Sequence, residues 1–119
     1  MAKALIVSSD DDSRYLYEVA IKYQKIEVKV ASTIKEAVRK ILTGLPDLVI
    51  LDMETIDFDE LSALKEVKQK LKKLPIIVMT DLAEAEAKRK ACVAGVCKIL
   101  TKKQATVGNL IKTVRKSII

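Results

Sequence analysis

Short apolar segments alternate with segments of helical periodicity along the whole chain. Runs of about four to eight apolar residues between polar ones are typical of strands buried on both faces of a sheet. The pattern predicts five strands, at residues 4–7, 26–31, 48–51, 76–79 and 97–100. The second of them alternates apolar and charged residues, which predicts an edge strand with one solvated face. The third is the most apolar and is predicted to be the central strand.

Apolar residues at helical spacing follow each predicted strand. Those of the first helix are Leu16, Val19, Ala20 and Tyr23, and those of the second are Ile34, Ala37, Val38, Ile41 and Leu42. Aspartates at the start of the first helix would complement its dipole. For the second helix, Thr33 and Glu36 match a capping box, and Gly44 is predicted to end it in a left-handed turn. The other predicted helices cover about residues 60–71, 83–94 and 107–118.

Five strands that alternate with five helices predict a doubly wound α/β fold, a (βα)5 parallel sheet covered on both faces. No linker, repeat or low-complexity segment interrupts the chain, so residues 1–119 are predicted to form a single domain with no output domain. In such sheets, ligand chemistry lies beyond the carboxyl ends of the strands. That rule selects the residues that follow the first, third, fourth and fifth strands: Ser8, Ser9, Asp10, Asp52, Thr80, Asp81, Thr101 and Lys102.

Composition excludes several kinds of chemistry. The chain has no histidine, so it can form neither a Ser-His-Asp or Cys-His catalytic system nor a histidine-based zinc site. Its two cysteines, Cys92 and Cys97, lie in an apolar context and are interpreted as reduced core residues. The N-terminus does not resemble a signal peptide, and no apolar stretch approaches the roughly 20 residues of a membrane span. These features favour a cytoplasmic protein with no membrane partner.

Three motifs make the pattern specific: PDLVILD at residues 46–52, LPIIVMT at 74–80 and LTK at 100–102. Together with the acidic turn after the first strand and the Ala-Gly pair at 94–95, they resemble a response-regulator receiver domain of the CheY type. The resemblance extends over essentially the whole chain. It implies a flavodoxin-like fold with strand order 2-1-3-4-5 and a role in two-component, or phosphorelay, signal transduction.

The resemblance also implies a chemical role for three residues. Asp52 would be the phosphoacceptor, a carboxylate that attacks the phosphohistidine of a sensor histidine kinase. Thr80 would hydrogen-bond the acquired phosphoryl group, and Lys102 would pair with its charge. In the family, Mg²⁺ held by two acids after the first strand, by the phosphoacceptor and by a backbone carbonyl supplies most of the neutralising charge. Beyond catalysing its own phosphorylation, such a domain is not expected to be an enzyme.

The chain departs from this pattern at the metal-binding positions. The acid pair falls on Ser8 and Ser9, whose hydroxyl groups are weak neutral ligands. With Asp10 and Glu54 as the nearest substitutes, a metal site would comprise Asp52, Asp10 and Glu54. The usual site has three carboxylates and one lysine balanced by a divalent cation, whereas the matched positions here keep only Asp52 and Lys102. The pocket is therefore predicted to be neutral without Mg²⁺, and to be closed by an Asp52–Lys102 ion pair.

Two positions associated with the phosphorylation switch also differ. Asp81 stands where the family has a small residue, and its carboxylate would repel an incoming phosphate. Ile99 replaces the usual aromatic switch residue. These departures favour a receiver module with a degenerate phosphorylation site. Such a module would act through protein–protein contacts with weak or no phosphorylation, and its partner would be a sensor histidine kinase or another signalling protein.

Three other interpretations stay open. The chain could be a conventional receiver that is phosphorylated on Asp52 with Mg²⁺, or Asp52 and Lys102 could form a purely structural ion pair. It could also be a basic docking domain for nucleic acid or another acidic surface, because its formal net charge is +6 and lysines cluster at residues 65–73. No aromatic residue is interleaved with those lysines, which favours a solvated helix face over a nucleic-acid interface.

Overall fold

Five strands and the helices that accompany them follow the order predicted from the sequence. The computed structural model describes residues 1–52, 61–80, 98–101 and 106–118. The strands are β1 (Lys3–Val7), β2 (Glu27–Ala31), β3 (Leu48–Asp52), β4 (Ile76–Thr80) and β5 (Lys98–Thr101). The helices in the described ranges are α1 (Asp11–Lys22), α2 (Ile34–Gly44), α3 (Leu61–Lys70) and α4 (Val107–Ile118). The helix predicted over residues 83–94 lies outside the described residues.

The strands form one parallel sheet with the order β2-β1-β3-β4-β5. This is the strand order that the receiver resemblance implies, with β2 at an edge and β3 in the middle. All five residues of β3 are buried. A parallel strand that is covered by helices on both faces has no solvated side, so its sequence is a continuous apolar run. The most apolar segment of the chain therefore lies at the centre of the sheet.

Helices cover both faces of the sheet. Successive side chains of a strand point to opposite faces, and because the inner strands are apolar on both, each face needs helices to bury it. On one face, α2 and α3 pack against residues such as Leu5 and Leu51. On the other face, α1 and α4 pack against residues such as Ile6 and Ile50. The described part of the chain thus has the doubly wound α/β architecture. None of its helices is long and apolar enough to cross a membrane.

Helix α1 begins as predicted but buries a different face. Asp10 is its N-cap residue, and Asp11 and Asp12 lie in its first turn, where they offset the positive end of the helix dipole. The buried residues of α1 are Tyr17 and Ile21. The prediction that α1 buries its stripe of Leu16, Val19, Ala20 and Tyr23 is wrong, because the large members of that stripe are exposed: Leu16, Val19 and Tyr23. The helix carries two apolar stripes, and the sheet buries the other one.

Helix α2 begins with the predicted cap and ends one residue later than predicted. Thr33 Oγ1 accepts a hydrogen bond from the backbone N–H of Glu36 at 3.1 Å, as in a capping box. The Glu36 carboxylate accepts from the backbone N–H of Ser32 at 3.4 Å, one residue before the partner that a capping box predicts. The left-handed residue at the end of α2 is Leu45, with φ of 45°, and not Gly44.

Glu36 makes the stability of the protein sensitive to acid. Its pKa is held below the usual value of 4.5, first by the hydrogen bond from Lys40 and then by the one from the Ser32 backbone. A carboxyl group with a lower pKa in the folded chain stabilises the fold above its unfolded pKa. That contribution is lost as the pH falls through the folded pKa. We therefore expect Glu36→Gln to reduce stability at neutral pH, and the difference from the wild type to shrink in acid.

Urea denaturation of both proteins at a series of pH values, from neutral to below 4.5, measures this difference. High salt should reduce it at neutral pH, because the Glu36–Lys40 ion pair is on the surface. A difference that stays constant across the pH series would contradict the expectation.

Candidate functional site

The carboxyl ends of neighbouring strands form one rim of the sheet. The register pairs Asp52 of β3 with Met79 of β4, and Thr80 of β4 with Thr101 of β5. Ser8 directly follows β1, which is the other neighbour of β3. The backbones of Ser8, Asp52 and Thr80 are therefore at the same edge of the sheet, as the strand ends in the sequence predict.

Asp52 and Ser8 form a buried polar pair on this rim. Asp52 is 1% exposed and Ser8 is 0% exposed. The Ser8 hydroxyl oxygen Oγ lies 3.0 Å from the Asp52 carboxylate oxygen Oδ2. A buried carboxylate is costly unless donors satisfy it, and a hydrogen bond to a charged group contributes about 1.5–3 kcal/mol. Ser8 is thus one of the groups that stabilise the carboxylate of Asp52 in the interior.

The single hydroxyl proton of Ser8 is directed at Asp52. Ser8 Oγ also lies 3.4 Å from the carbonyl oxygen of Asp10, but this contact is longer and its acceptor is neutral. Hydrogen bonds to charged acceptors are shorter and stronger, so the proton goes to the carboxylate. Ser8 Oγ in turn accepts a hydrogen bond from the backbone N–H of Asp10 at 3.2 Å. The hydroxyl therefore occupies the place where the receiver resemblance predicts a metal-binding acid.

The backbone of Ser8 is held from two further directions. Its N–H donates to the carbonyl oxygen of Ala31 at 3.0 Å, and its carbonyl oxygen accepts from Arg14 Nη1 at 2.8 Å. Arg14 also pairs with Asp11 in the first turn of α1. Arg14 is not among the site residues predicted from the sequence. The signal that could have found it is its position, because a long cationic side chain one helical turn after Asp10 can reach back to the residues that follow β1. These contacts keep the Ser8 hydroxyl aligned with Asp52.

The carboxylate of Asp10 is used to cap α1. Asp10 Oδ2 accepts hydrogen bonds from the backbone N–H of Ser13 at 3.1 Å and from the Ser13 hydroxyl at 2.5 Å. The Asp10 residue is exposed. An N-cap carboxylate satisfies backbone N–H groups that have no partner inside the helix. The carboxylate predicted as a metal ligand at Asp10 therefore has a structural role as a helix cap.

The described residues do not match the donor set of a magnesium site. Mg²⁺ is bound through oxygen ligands, with carboxylates supplying the compensating negative charge. One group next to Asp52 is the neutral hydroxyl of Ser8, whose proton is directed at the same carboxylate. Within the described ranges, no group of three Asp, Glu, Cys or His side chains is placed to hold a metal ion. Glu54, the third predicted ligand, lies outside the described residues.

Other predicted site residues lie at the limits of the described chain. The backbone of Thr80 ends β4, and that of Ile99 lies within β5. Lys102 and Asp81 lie outside the described residues, directly after β5 and β4 in the sequence. The Asp52–Lys102 ion pair, the phosphate contacts and the switch position therefore stay predictions.

The lysine cluster on α3 has at least one member with an internal role. Lys68 Nζ donates to the carbonyl oxygen of Lys72 at 3.0 Å and to that of Leu74. Both carbonyl groups lie after α3, in the segment that leads into β4, so Lys68 ties this segment to the end of the helix. Its charge also favours the negative end of the helix dipole. The exposed lysines of the cluster are Lys65, Lys70, Lys72 and Lys73, and they agree with a solvated helix face.

Comparison with known proteins identifies the class of domain. The response regulator receiver domain family matches residues 4–115. The response regulator protein PilR of Pseudomonas aeruginosa is 32% identical over 101 residues, which cover 84% of this chain and 22% of PilR. The regulatory protein AtoC of Escherichia coli K12 is 31% identical over 84 residues, 71% of this chain and 18% of AtoC. The chain thus spans about a fifth of the length of these relatives.

Solved structures show the same fold. The chemotaxis protein CheY4 of Vibrio cholerae superposes with a TM-score of 0.86 at 24% identity, over 100% of this chain and 99% of CheY4. The receiver domain of the Francisella response regulator 1452 has a TM-score of 0.86, 24% identity and coverage of 99% and 97%. The chain belongs to the response regulator receiver domain family. It is a CheY-like receiver domain of two-component signalling, a class that in general is not enzymatic.

Proposed function

We propose that residues 1–119 form a single receiver module whose phosphorylation site is degenerate. It acts through protein–protein contacts, with weak or no phosphorylation of Asp52. The observation that carries the proposal is the buried hydrogen bond from Ser8 Oγ to Asp52 Oδ2 at 3.0 Å. Ser8 and Ser9 replace the two acids that would hold Mg²⁺ in a conventional receiver, so the phosphoacceptor loses two negative neighbours.

Charge and hydrogen bonding both support a weak phosphoacceptor. Without the acid pair, a divalent cation next to Asp52 has lost the charge that favours its binding. Without that cation, the phosphoryl group that is transferred to Asp52 lacks the divalent charge that would stabilise its oxygens in the transition state. The Ser8 hydrogen bond also stabilises negative charge on Oδ2, which makes that oxygen a poorer nucleophile. An Asp52–Lys102 ion pair and the carboxylate of Asp81 would act in the same direction.

A conventional receiver is the second candidate function, because Asp52 itself is retained at the end of the central strand. In that case a carboxylate oxygen of Asp52 forms a bond to phosphorus while the bond from phosphorus to the histidine nitrogen of a sensor kinase breaks. The imidazole leaves with the electron pair. Thr80 and Lys102 would bind the phosphoryl oxygens, and Ile99 would replace the aromatic switch residue.

The proposal also includes the cellular location of the protein and a helix between β4 and β5. A cytoplasmic site, where a sensor kinase presents its phosphohistidine, suits a chain whose Cys92 and Cys97 are interpreted as thiols. A helix over residues 83–94 would complete the (βα)5 unit between β4 and β5.

Incubation with acetyl phosphate and Mg²⁺, followed by intact-mass measurement, separates the two candidates. We expect at most a trace of protein carrying one added phosphoryl group. A conventional receiver treated in parallel controls for the activity of the phosphodonor, and Asp52→Asn controls for the site. Near-complete addition of one phosphoryl group that is absent in Asp52→Asn would overturn the proposal in favour of the second candidate.

A further inference from the structure

Helix α1 presents an apolar surface to solvent, and this surface is separate from the Asp52 site. It consists of four large side chains, hereafter the α1 outer face: Tyr15 (68% exposed), Leu16 (53%), Val19 (49%) and Tyr23 (86%). These four are half of the large exposed hydrophobic residues in the described ranges, and the others lie elsewhere in the chain: Met1, Leu42, Leu45 and Val107. Apolar residues that are exposed singly are normal, whereas a contiguous group on one helix indicates an interaction surface.

Opposite charges lie at the two ends of the α1 outer face. Asp11 and Asp12 are in the first turn of α1, and Asp12 has no ion-pair partner in the described part of the chain. At the other end, Lys25 is likewise without an ion-pair partner among the described residues. Arg115 of α4 reaches the same end, where its Nη2 donates to Gln24 Oε1 at 2.6 Å. The surface is therefore acidic at its start and basic at its end.

We propose that a second copy of this chain docks on the α1 outer face, with the two α1 helices antiparallel about a two-fold axis at Val19. Residues four positions before and after Val19 then face each other, so each Tyr15 meets Tyr23 of the second copy. Two such aromatic contacts flank the central valines. The acidic start of each helix lies beside the basic end of the other, so Asp12 approaches Lys25 of the second copy.

Charge complementarity selects this occupant and this orientation. A parallel pairing would bring the Asp12 residues together and the Lys25 residues together, and like charges across an interface disfavour it. The antiparallel pairing also opposes the two helix dipoles. Both copies present the same surface, and that surface is complementary to itself, as a closed two-fold dimer requires.

The size of the α1 outer face sets the expected affinity of the dimer. The two tyrosines of each copy bring on the order of 300 Å² to the contact. The dimer would thus be at or below the roughly 1,200 Å² lower limit of standard interfaces. We expect a transient dimer with a dissociation constant on the order of tens of micromolar. The proposal does not depend on whether Asp52 is phosphorylated.

Sedimentation velocity from low micromolar to millimolar concentration tests the proposal on the whole chain. We expect a monomer–dimer equilibrium that Val19→Glu abolishes. Leu42→Glu is the matched control, because Leu42 is similarly exposed (48%) but lies on α2; its dimerisation should equal that of the wild type. A chain that is monomeric throughout, or a dimer that survives Val19→Glu, overturns the proposal.

A charge swap tests the antiparallel orientation. Asp12→Lys and Lys25→Asp should each weaken dimerisation about two- to tenfold, since each change acts twice in a two-fold dimer. Lys25 has φ of 62°, a conformation that aspartate tolerates. The double variant should regain wild-type affinity, because it restores opposite charges at each end. A double variant weaker than both single variants would contradict the proposed pairing.

Tyrosine emission gives a readout located at the interface. The three tyrosines of the chain are Tyr15, Tyr17 and Tyr23, all on α1 or at its end, and there is no tryptophan. Contact with the second copy should shield Tyr15 and Tyr23 from a soluble quencher such as acrylamide, so quenching of the tyrosine emission should decrease as the dimer forms. Quenching that stays constant while sedimentation reports a dimer would place the contact elsewhere and overturn the proposal.

Discussion

Replacing Ser8 by aspartate is expected to make the stability of this receiver domain depend on Mg²⁺. The new carboxylate would lie within hydrogen-bonding distance of the buried Asp52 carboxylate, where the Ser8 hydroxyl now donates at 3.0 Å. Two buried like charges and the loss of a donor should lower the free energy of unfolding by about 2–4 kcal/mol at neutral pH without divalent ions. Mg²⁺ should restore a large part of this loss, because it binds the folded variant and not the unfolded chain.

Urea denaturation with and without millimolar Mg²⁺ measures the effect. Ser8→Asn is the matched control, because it has nearly the same shape as aspartate and no charge. It should lose less stability and show no response to Mg²⁺. If the wild type gains as much from Mg²⁺ as Ser8→Asp does, the degenerate-site proposal is wrong, since the native donor set would already bind the ion.

Ile50→Ala is expected to cost about 3–4 kcal/mol of the free energy of unfolding. Ile50 is 0% exposed and lies in the central strand, where it is paired with Ile6 of β1 and Ile77 of β4. Truncation removes apolar area from the core and leaves a cavity that the two neighbouring strands cannot close.

Chemical denaturation of Ile50→Ala beside Leu42→Ala checks this expectation. The spacing of apolar residues predicts Leu42 as buried, but it is 48% exposed. Its truncation should cost less than about 1 kcal/mol. Equal losses for the two variants would mean that the centre of the sheet is not the main source of stability.

The strands and their ends could be predicted from the sequence because buried parallel strands have a local signature. The run Leu48–Leu51 is apolar without interruption, and β3 has both faces covered. The alternation of β2 marks an edge strand, which is its position in the sheet. The cap at Thr33 is likewise local, because its hydroxyl bonds a backbone N–H only three residues away.

The buried face of α1 could not be predicted in the same way. Two apolar stripes compete on this helix, one with Leu16, Val19 and Tyr23, and the other with Tyr17 and Ile21. Helical periodicity fits both, and the more extensive stripe is the exposed one. The choice depends on how the turn after β1 directs the helix onto the sheet, where Tyr17 and Ile21 join the core with α4.

By itself, the sequence determined the class of fold and which residues follow the strand ends, because apolar runs, caps and polar ends are encoded within a few neighbouring residues. Only the tertiary structure decided that the hydroxyl of Ser8 donates to Asp52, that Asp10 caps α1 and that Arg14 holds the Ser8 carbonyl. The Ser8–Asp52 hydrogen bond joins residues 44 positions apart. Its geometry depends on the register of β1 against β3 and on the direction of α1, which arise only when the sheet is assembled.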